Sequence, residues 1–113
     1  MAAFAVLNKK EDFDTVFKSH QHKIFMKGFL LLACANRLGY PRLGMVIAKR
    51  SVKLAVRRNY IKRRLRESFR LLVCSRSAPL DCVVLVSKQV SGLELTEITK
   101  ISSSLFSRLV NQQ

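Results

Sequence analysis

The sequence is short of acid: seven Asp and Glu stand against 21 Lys and Arg in 113 residues, a net charge of +14. Self-repulsion of that size works against a compact state and is retained where a polyanion offsets it. Nucleic acid is therefore the expected partner, ahead of an anionic membrane surface. Long hydrophobic runs are missing too. The longest near-apolar stretch, Phe29 to Ala35, falls far below the ~20 residues of a spanning helix. Ala2 to Leu7 is shorter than a signal-peptide core of roughly 7–15 apolar residues. No membrane association is expected, and a cytoplasmic location is. The three cysteines (Cys34, Cys74, Cys82) are odd in number and widely spaced among apolar neighbours. That pattern argues against a disulfide framework or paired zinc ligands and for buried, reduced thiols. The few acids, among them Asp12, Asp14 and Asp81, form no constellation by spacing. His20 and His22 are a lone alternating pair that suits an exposed position beside a loop better than a metal. These absences disfavour an autonomous nuclease.

What the chain does have is apolar content: 49% of its residues are hydrophobic, enough to offset the entropy of ordering a small core. No repeat, low-complexity tract or Pro/Gly-rich linker divides it, so residues 1–113 read as a single domain. Asn8, with Glu11 three residues on, has capping-box spacing for a first helix from about Lys10 to Ser19. Phe13, Val16 and Phe17 share one face of that helix. Phe29 to Ala35 reads as a buried strand. Arg42 to Ala48 reads as a second strand, in which Leu43, Met45 and Ile47 alternate with Gly44, Val46 and Ala48, one side large and the other small. Turn formers between Asn36 and Pro41 suggest that the two runs form a hairpin. A long helical pattern covers about Lys53 to Val73, Ser75 to Leu80 is a loop containing Pro79, and Cys82 to Val86 is an apolar strand. Ile98, Ile101, Leu105 and Leu109 mark a last amphipathic helix. Strands mixed with helices in so short a chain predict a two-layer α+β sandwich.

The charge is concentrated. Lys49 through Arg70 carries ten cations and one acid, Glu67. At about 100° per residue, Leu54, Ile61, Leu65 and Leu72 form an apolar stripe with Phe69 beside it. Lys62, Arg66, Asn59, Arg70 and Arg63 follow one another around the opposite side. Like charges recur at i, i+4 (Arg58 with Lys62, Lys62 with Arg66, Arg66 with Arg70), which costs a free helix about 0.2–0.5 kcal/mol per pair. Glu67 is the local relief, through Arg63 or Arg64. A ridge rich in planar guanidinium groups suits the closely spaced phosphates of a folded RNA.

Arg58-Asn59-Tyr60-Ile61-Lys62-Arg63, continuing through Arg66-Glu67-Ser68-Phe69-Arg70, resembles the arginine-rich signature helix of the bacterial ribonuclease P protein family. Pro41-Arg42-Leu43-Gly44 and Val46-Ile47-Ala48-Lys49-Arg50 are similar to the strand that leads into it. Asp12-Phe13 with Val16-Phe17 resembles the family's first helix, and Asp81 to Lys88 its later strand. The resemblance implies the order helix, three strands, helix, strand, helix, with a left-handed crossover. It implies a protein that breaks no bond itself: a catalytic RNA with Mg2+, held mainly by RNA and substrate, removes the 5′ leader of precursor transfer RNA. Arg58, Asn59, Lys62, Arg63 and Arg66 would contact the catalytic RNA, with Arg70 on the same ridge and Lys49 and Arg50 on nearby phosphates. Phe13 and Phe17 would line a leader cleft opposite Gly44, Val46 and Ala48, although by pattern alone both rings also fit a core. Tyr60 departs from the family, which usually carries a second arginine there. The alternative of a ribosomal-type or chaperone RNA-binding protein uses the same helix. DNA binding is not expected, because no second short helix completes a helix-turn-helix.

Overall fold

The most deeply buried strand of the chain, Leu80–Val86, sits in the middle of its sheet. A computed structural model describes residues 5–76 and 79–112. Among the described residues the order is β1 (Ala5–Val6), α1 (Lys10–Ser19), β2 (His22–Met26), β3 (Phe29–Ala35), β4 (Arg42–Ile47), α2 (Ala55–Leu72), β5 (Leu80–Val86) and α3 (Leu95–Asn111). Single turns of 3-10 helix, Cys74–Arg76 and Lys88–Gly92, flank β5. The sheet order is β1-β4-β5-β3-β2. β5 lies parallel to β4 and antiparallel to β3. Apart from the two-residue β1, the elements follow the expected α+β order.

The strand pairing corrects one expectation: β3 and β4 are not a hairpin, because β5 is inserted between them. A run such as Leu80–Val86, apolar on both faces, is stable only with cover on both sides and a neighbour at each edge. It takes seven residue pairs from β3 and six from β4. The hairpin is instead β2–β3. Its two-residue turn, Lys27-Gly28, has positive φ at both positions (44° and 94°), the backbone twist that matches a right-handed strand pair. β2 is the third strand that the family resemblance implies; residue patterning alone does not mark it, because it is half polar and its turn lacks the usual Asn-Gly signal.

Other boundaries moved by small amounts for local reasons. Asn8 does not cap α1; Lys9 holds that position and no side chain caps the helix. Leu7 still donates to the Leu43 carbonyl in the β1–β4 ladder, so Asn8 is spent turning the chain. β4 ends at Ile47, and the Ala48 carbonyl accepts from Ser51 and Val52 to start the turn into α2. Leu54 has extended backbone angles before the first helical residue and is 69% exposed, so it does not belong to the buried stripe. Of the expected loop from Ser75 to Leu80, Ser75 belongs to the 3-10 turn, Leu80 opens β5, and Ser77 and Ala78 lie outside the described residues.

Alternation along the strands divides the core in two. On one face Leu43, Cys82, Val84, Leu31 and Ile24 meet Ile61, Leu65 and Phe69 of α2 and Ile98, Leu105 and Leu109 of α3. Phe69 and Phe106 meet edge to face at 5.5 Å. Each such buried large side chain stabilises the fold by about 1.5–3 kcal/mol relative to exposure. On the other face a small cluster of Leu7, Val16, Leu32, Cys34 and Val83 lies under α1, with Phe13, Leu30 and Leu85 at its margin. The sandwich of sheet and helix pair thus carries a partial third layer.

Candidate nucleic-acid interface

α2 is seated by Ile61, Leu65, Ser68 and Phe69, which are buried. Its opposite side presents Asn59, Arg63 and Arg66, all exposed, at i, i+4 and i+7, with Lys62 half-buried beside them. Lys49 and Arg50 are exposed in the turn that follows β4. Among the described residues no intramolecular hydrogen bond or ion pair engages the side chains of these six. The structure therefore keeps their donors free for an external acceptor.

Two expected ridge members are committed elsewhere. Arg58 Nη1 donates to the carbonyls of Val52 and Lys53, each at 2.8 Å, and so braces the turn before the helix. Arg70 donates to Glu67 at 2.6 Å. Glu67 thus relieves Arg70, not Arg63 or Arg64, because the i, i+3 geometry lets the shorter acid meet a guanidinium one turn on. Arg57, which sequence reasoning passed over, donates Nη2 to the carbonyls of Val90 and Leu93 and ties α2 to the turn after β5. Cations in a first helical turn oppose the helix dipole; both of these spend their charge on backbone carbonyls.

Tyr60, the departure from the family pattern, faces α3. Its hydroxyl lies 2.8 Å from Thr99 Oγ1 and donates to the Leu95 carbonyl at 3.2 Å. The Arg64 guanidinium sits over its ring, 5.6 Å from the centroid. At this position the side chain joins two helices and does not stand on the ridge.

The expected leader-side residues come together on the α1 face, with different exposures. Phe13 lies directly over Gly44: a Cβ there would be 2.8 Å from Cε1 and Cζ of the ring. Phe13 is therefore partly core. Phe17, whose ring centroid is 6.4 Å from that of Phe13, is 39% exposed. Val46 is also 39% exposed, and Ala48 lies past the strand end. α1 covers the row containing Leu32, Val83 and Gly44. The next row, Phe25, Leu30, Leu85 and Val46, is in register across four strands. Phe25 at its outer end is 61% exposed. Of this apolar row the sequence reading named Val46 alone; the apolar run Ile24-Phe25-Met26 was the signal available for Phe25.

A second missed feature pins this face. Arg42 Nε and Nη2 donate to Oδ1 and Oδ2 of buried Asp81 at 2.8 and 2.6 Å, and Nη1 reaches Asp12 Oδ2 at 3.2 Å. Asn36 Nδ2 donates to the same Asp81 Oδ1. Donating to the Asp81 carboxylate pushes the Arg42 pKa up, so the guanidinium is held charged. The network joins α1, β4, β5 and the loop after β3. His20 Nδ1 lies near the Val16 and Phe17 carbonyls at the end of α1, and His22 Nδ1 near Gln112 Oε1. The three cysteines are free, and burial pushes the Cys82 thiol well up, with Cys34 and Cys74 moved the same way. Among the described residues no group of three His, Cys, Asp or Glu side chains forms a metal cluster. No helix there is long and apolar enough to cross a membrane.

The whole-chain pattern agrees with known proteins. The family described as Ribonuclease P matches residues 1–110. A ribonuclease P protein component from Azotobacter vinelandii is 48% identical over 101 residues, covering 89% of this chain and 77% of the relative. The ribonuclease P protein from Thermotoga maritima superposes with a TM-score of 0.70 at 28% identity, covering 90% of this chain and 94% of that one. A Staphylococcus aureus ribonuclease P protein, a mutant described as defective in mRNA degradation activity, gives 0.77 at 25% identity over 94% and 87%. The chain belongs to the ribonuclease P protein family.

Proposed function

We propose that this protein is the RNA-binding subunit of a cytoplasmic ribonuclease P ribonucleoprotein and assists removal of the 5′ leader from precursor transfer RNA. The observation that carries the reading is the row Asn59, Arg63 and Arg66, exposed on α2 without intramolecular partners. Phosphates of the catalytic RNA occupy this row, with Lys62, Lys49 and Arg50 extending it. The leader lies on the other face of the sheet, where Phe17, Phe25 and Val46 offer apolar surface to unpaired bases without sequence preference. β4 links the two surfaces: Val46 belongs to one, and the turn at Lys49 and Arg50 leads into the other. Bond breaking belongs to the RNA, with Mg2+ ions held mainly by RNA and substrate.

The test is cleavage of precursor transfer RNA by the organism's catalytic RNA at low Mg2+, with and without this protein. Restored cleavage at the mature 5′ end, with no cleavage by protein alone, is the expected result. Binding without any effect on cleavage would favour a ribosomal or chaperone role. The S. aureus description gives a specific second reading, protein-dependent degradation of messenger RNA, and cleavage by the purified protein without the RNA would support it.

A further inference from the structure

At the edge of the basic surface, where Arg50 ends it, the β4–α2 turn and the 3-10 turn after β5 enclose a pocket of about 310 Å3. Four cations line it: Arg50 and Lys53 from the first turn, Arg57 from α2 and Lys88 from the second turn. No acid lines it. Arg57 is fixed at the wall by its bonds to the Val90 and Leu93 carbonyls, and its Nε is buried without a partner. Ser51 and Ser91 also line it, the Ser91 hydroxyl donating to the Lys88 carbonyl, while Val52 and the largely exposed Leu54 supply an apolar side. Four like charges around one small cavity repel one another unless an anion sits among them. Lys88 is remote in sequence from the basic helix, so the cluster is assembled by the fold.

We propose that this pocket binds a phosphate ester of nucleotide size, its phosphate among Arg50, Lys53 and Lys88 and its base against Leu54. The volume stands at the lower end of the roughly 300–1,000 Å3 of small-molecule sites, room for one nucleotide. Guanidinium and ammonium groups converging from separate segments select a compact phosphate over a diffuse anion. The ligand is either an unpaired nucleotide of the RNA partner or a free mononucleotide; both present the same chemistry. The inference needs only phosphate binding and stands apart from the assignment in transfer RNA processing.

The test titrates the full-length protein with AMP and with inorganic phosphate, following amide shifts by NMR. AMP should move the Ser91 and Leu93 amides and bind more tightly than phosphate. Lys88→Gln should raise the AMP dissociation constant at least fivefold. Lys100→Gln, the same charge change on the exposed side of α3, should leave it within twofold. Equal weakening by both substitutions, or shifts confined to α2 beyond Asn59, would overturn the proposal by reducing it to net charge. Addition of the catalytic RNA then separates the sources. AMP displaced from the Lys88 site identifies an RNA nucleotide as occupant, and AMP retained at unchanged affinity identifies a free-nucleotide site. Failure of the protein to assist precursor cleavage would leave this titration unaffected.

Discussion

The two faces of the sheet are built from the same strands and have opposite characters. Under α2 and α3, every strand except β1 contributes side chains to one continuous core. Under α1, a single ten-residue helix covers one row of the sheet and leaves the next, from Phe25 to Val46, partly open. The difference lies in helix supply, since the strands carry apolar residues on both sides. A face covered by two long helices is spent on stability. A face covered by one short helix retains apolar surface that has a use only with a partner.

The largest expected contrast tests that division directly. Phe69→Ala, at a fully buried ring in edge contact with Phe106, should cost about 3–5 kcal/mol in urea unfolding. Phe17→Ala should cost under about 1 kcal/mol, given its exposure. The second variant should nonetheless lose the preference for leader-bearing substrate over mature transfer RNA. Similar stability losses for the two would show that the α1 face is ordinary core.

Arg42 offers the next largest effect. Arg42→Ala strands the Asp81 carboxylate, whose side chain is only 6% exposed, and should cost about 3 kcal/mol. Replacing the pair together, Arg42→Met with Asp81→Leu, should recover most of that loss, because the desolvation of both charges disappears. A double variant no better than the single one would mean that Asn36 and Asp12 depend on the ion pair for their positions. Gly44→Ala is smaller in reach. The added methyl must displace the Phe13 ring, costing about 1–3 kcal/mol and tilting α1 away from the sheet. Leader preference should fall with it while affinity for the catalytic RNA holds; a simultaneous loss of both would tie the two surfaces together.

Much of this was legible in the sequence, and the failures share a cause. β3 and β5 were readable as short apolar runs, and α1 and α3 through a helical periodicity that local spacing reveals. The basic ridge at Asn59, Arg63 and Arg66 was readable for the same reason. Strand order was not, because nothing local in Phe29–Ala35 or Arg42–Ile47 says that a strand from far down the chain will part them. Arg42 and Asp81 stand opposite one another only through that order, so their ion pair was equally hidden. Which cations of a basic helix are free was hidden too: Arg58 and Arg63 are the same residue type on one basic helix, and the path of the preceding turn is what commits Arg58.

That last distinction yields the smallest effect on stability and the sharpest on function. Arg63→Gln removes an exposed cation with no intramolecular partner, so its unfolding free energy should stay within about 0.5 kcal/mol of the parent. It should weaken catalytic-RNA binding and lower the slope of log affinity against log salt by roughly 0.7–0.9, the counterion release of one phosphate contact. Arg58→Gln breaks two hydrogen bonds to the Val52 and Lys53 carbonyls and should lose about 1–3 kcal/mol of stability, since bonds from a charged donor are the stronger kind. Its salt slope should change less than that of Arg63→Gln, because its charge already faces the backbone. If Arg58→Gln instead left stability intact and flattened the salt dependence, the guanidinium must leave the turn when RNA arrives. The ridge would then gain a member by rearrangement, and the free cations of the isolated protein would understate the surface that the RNA meets.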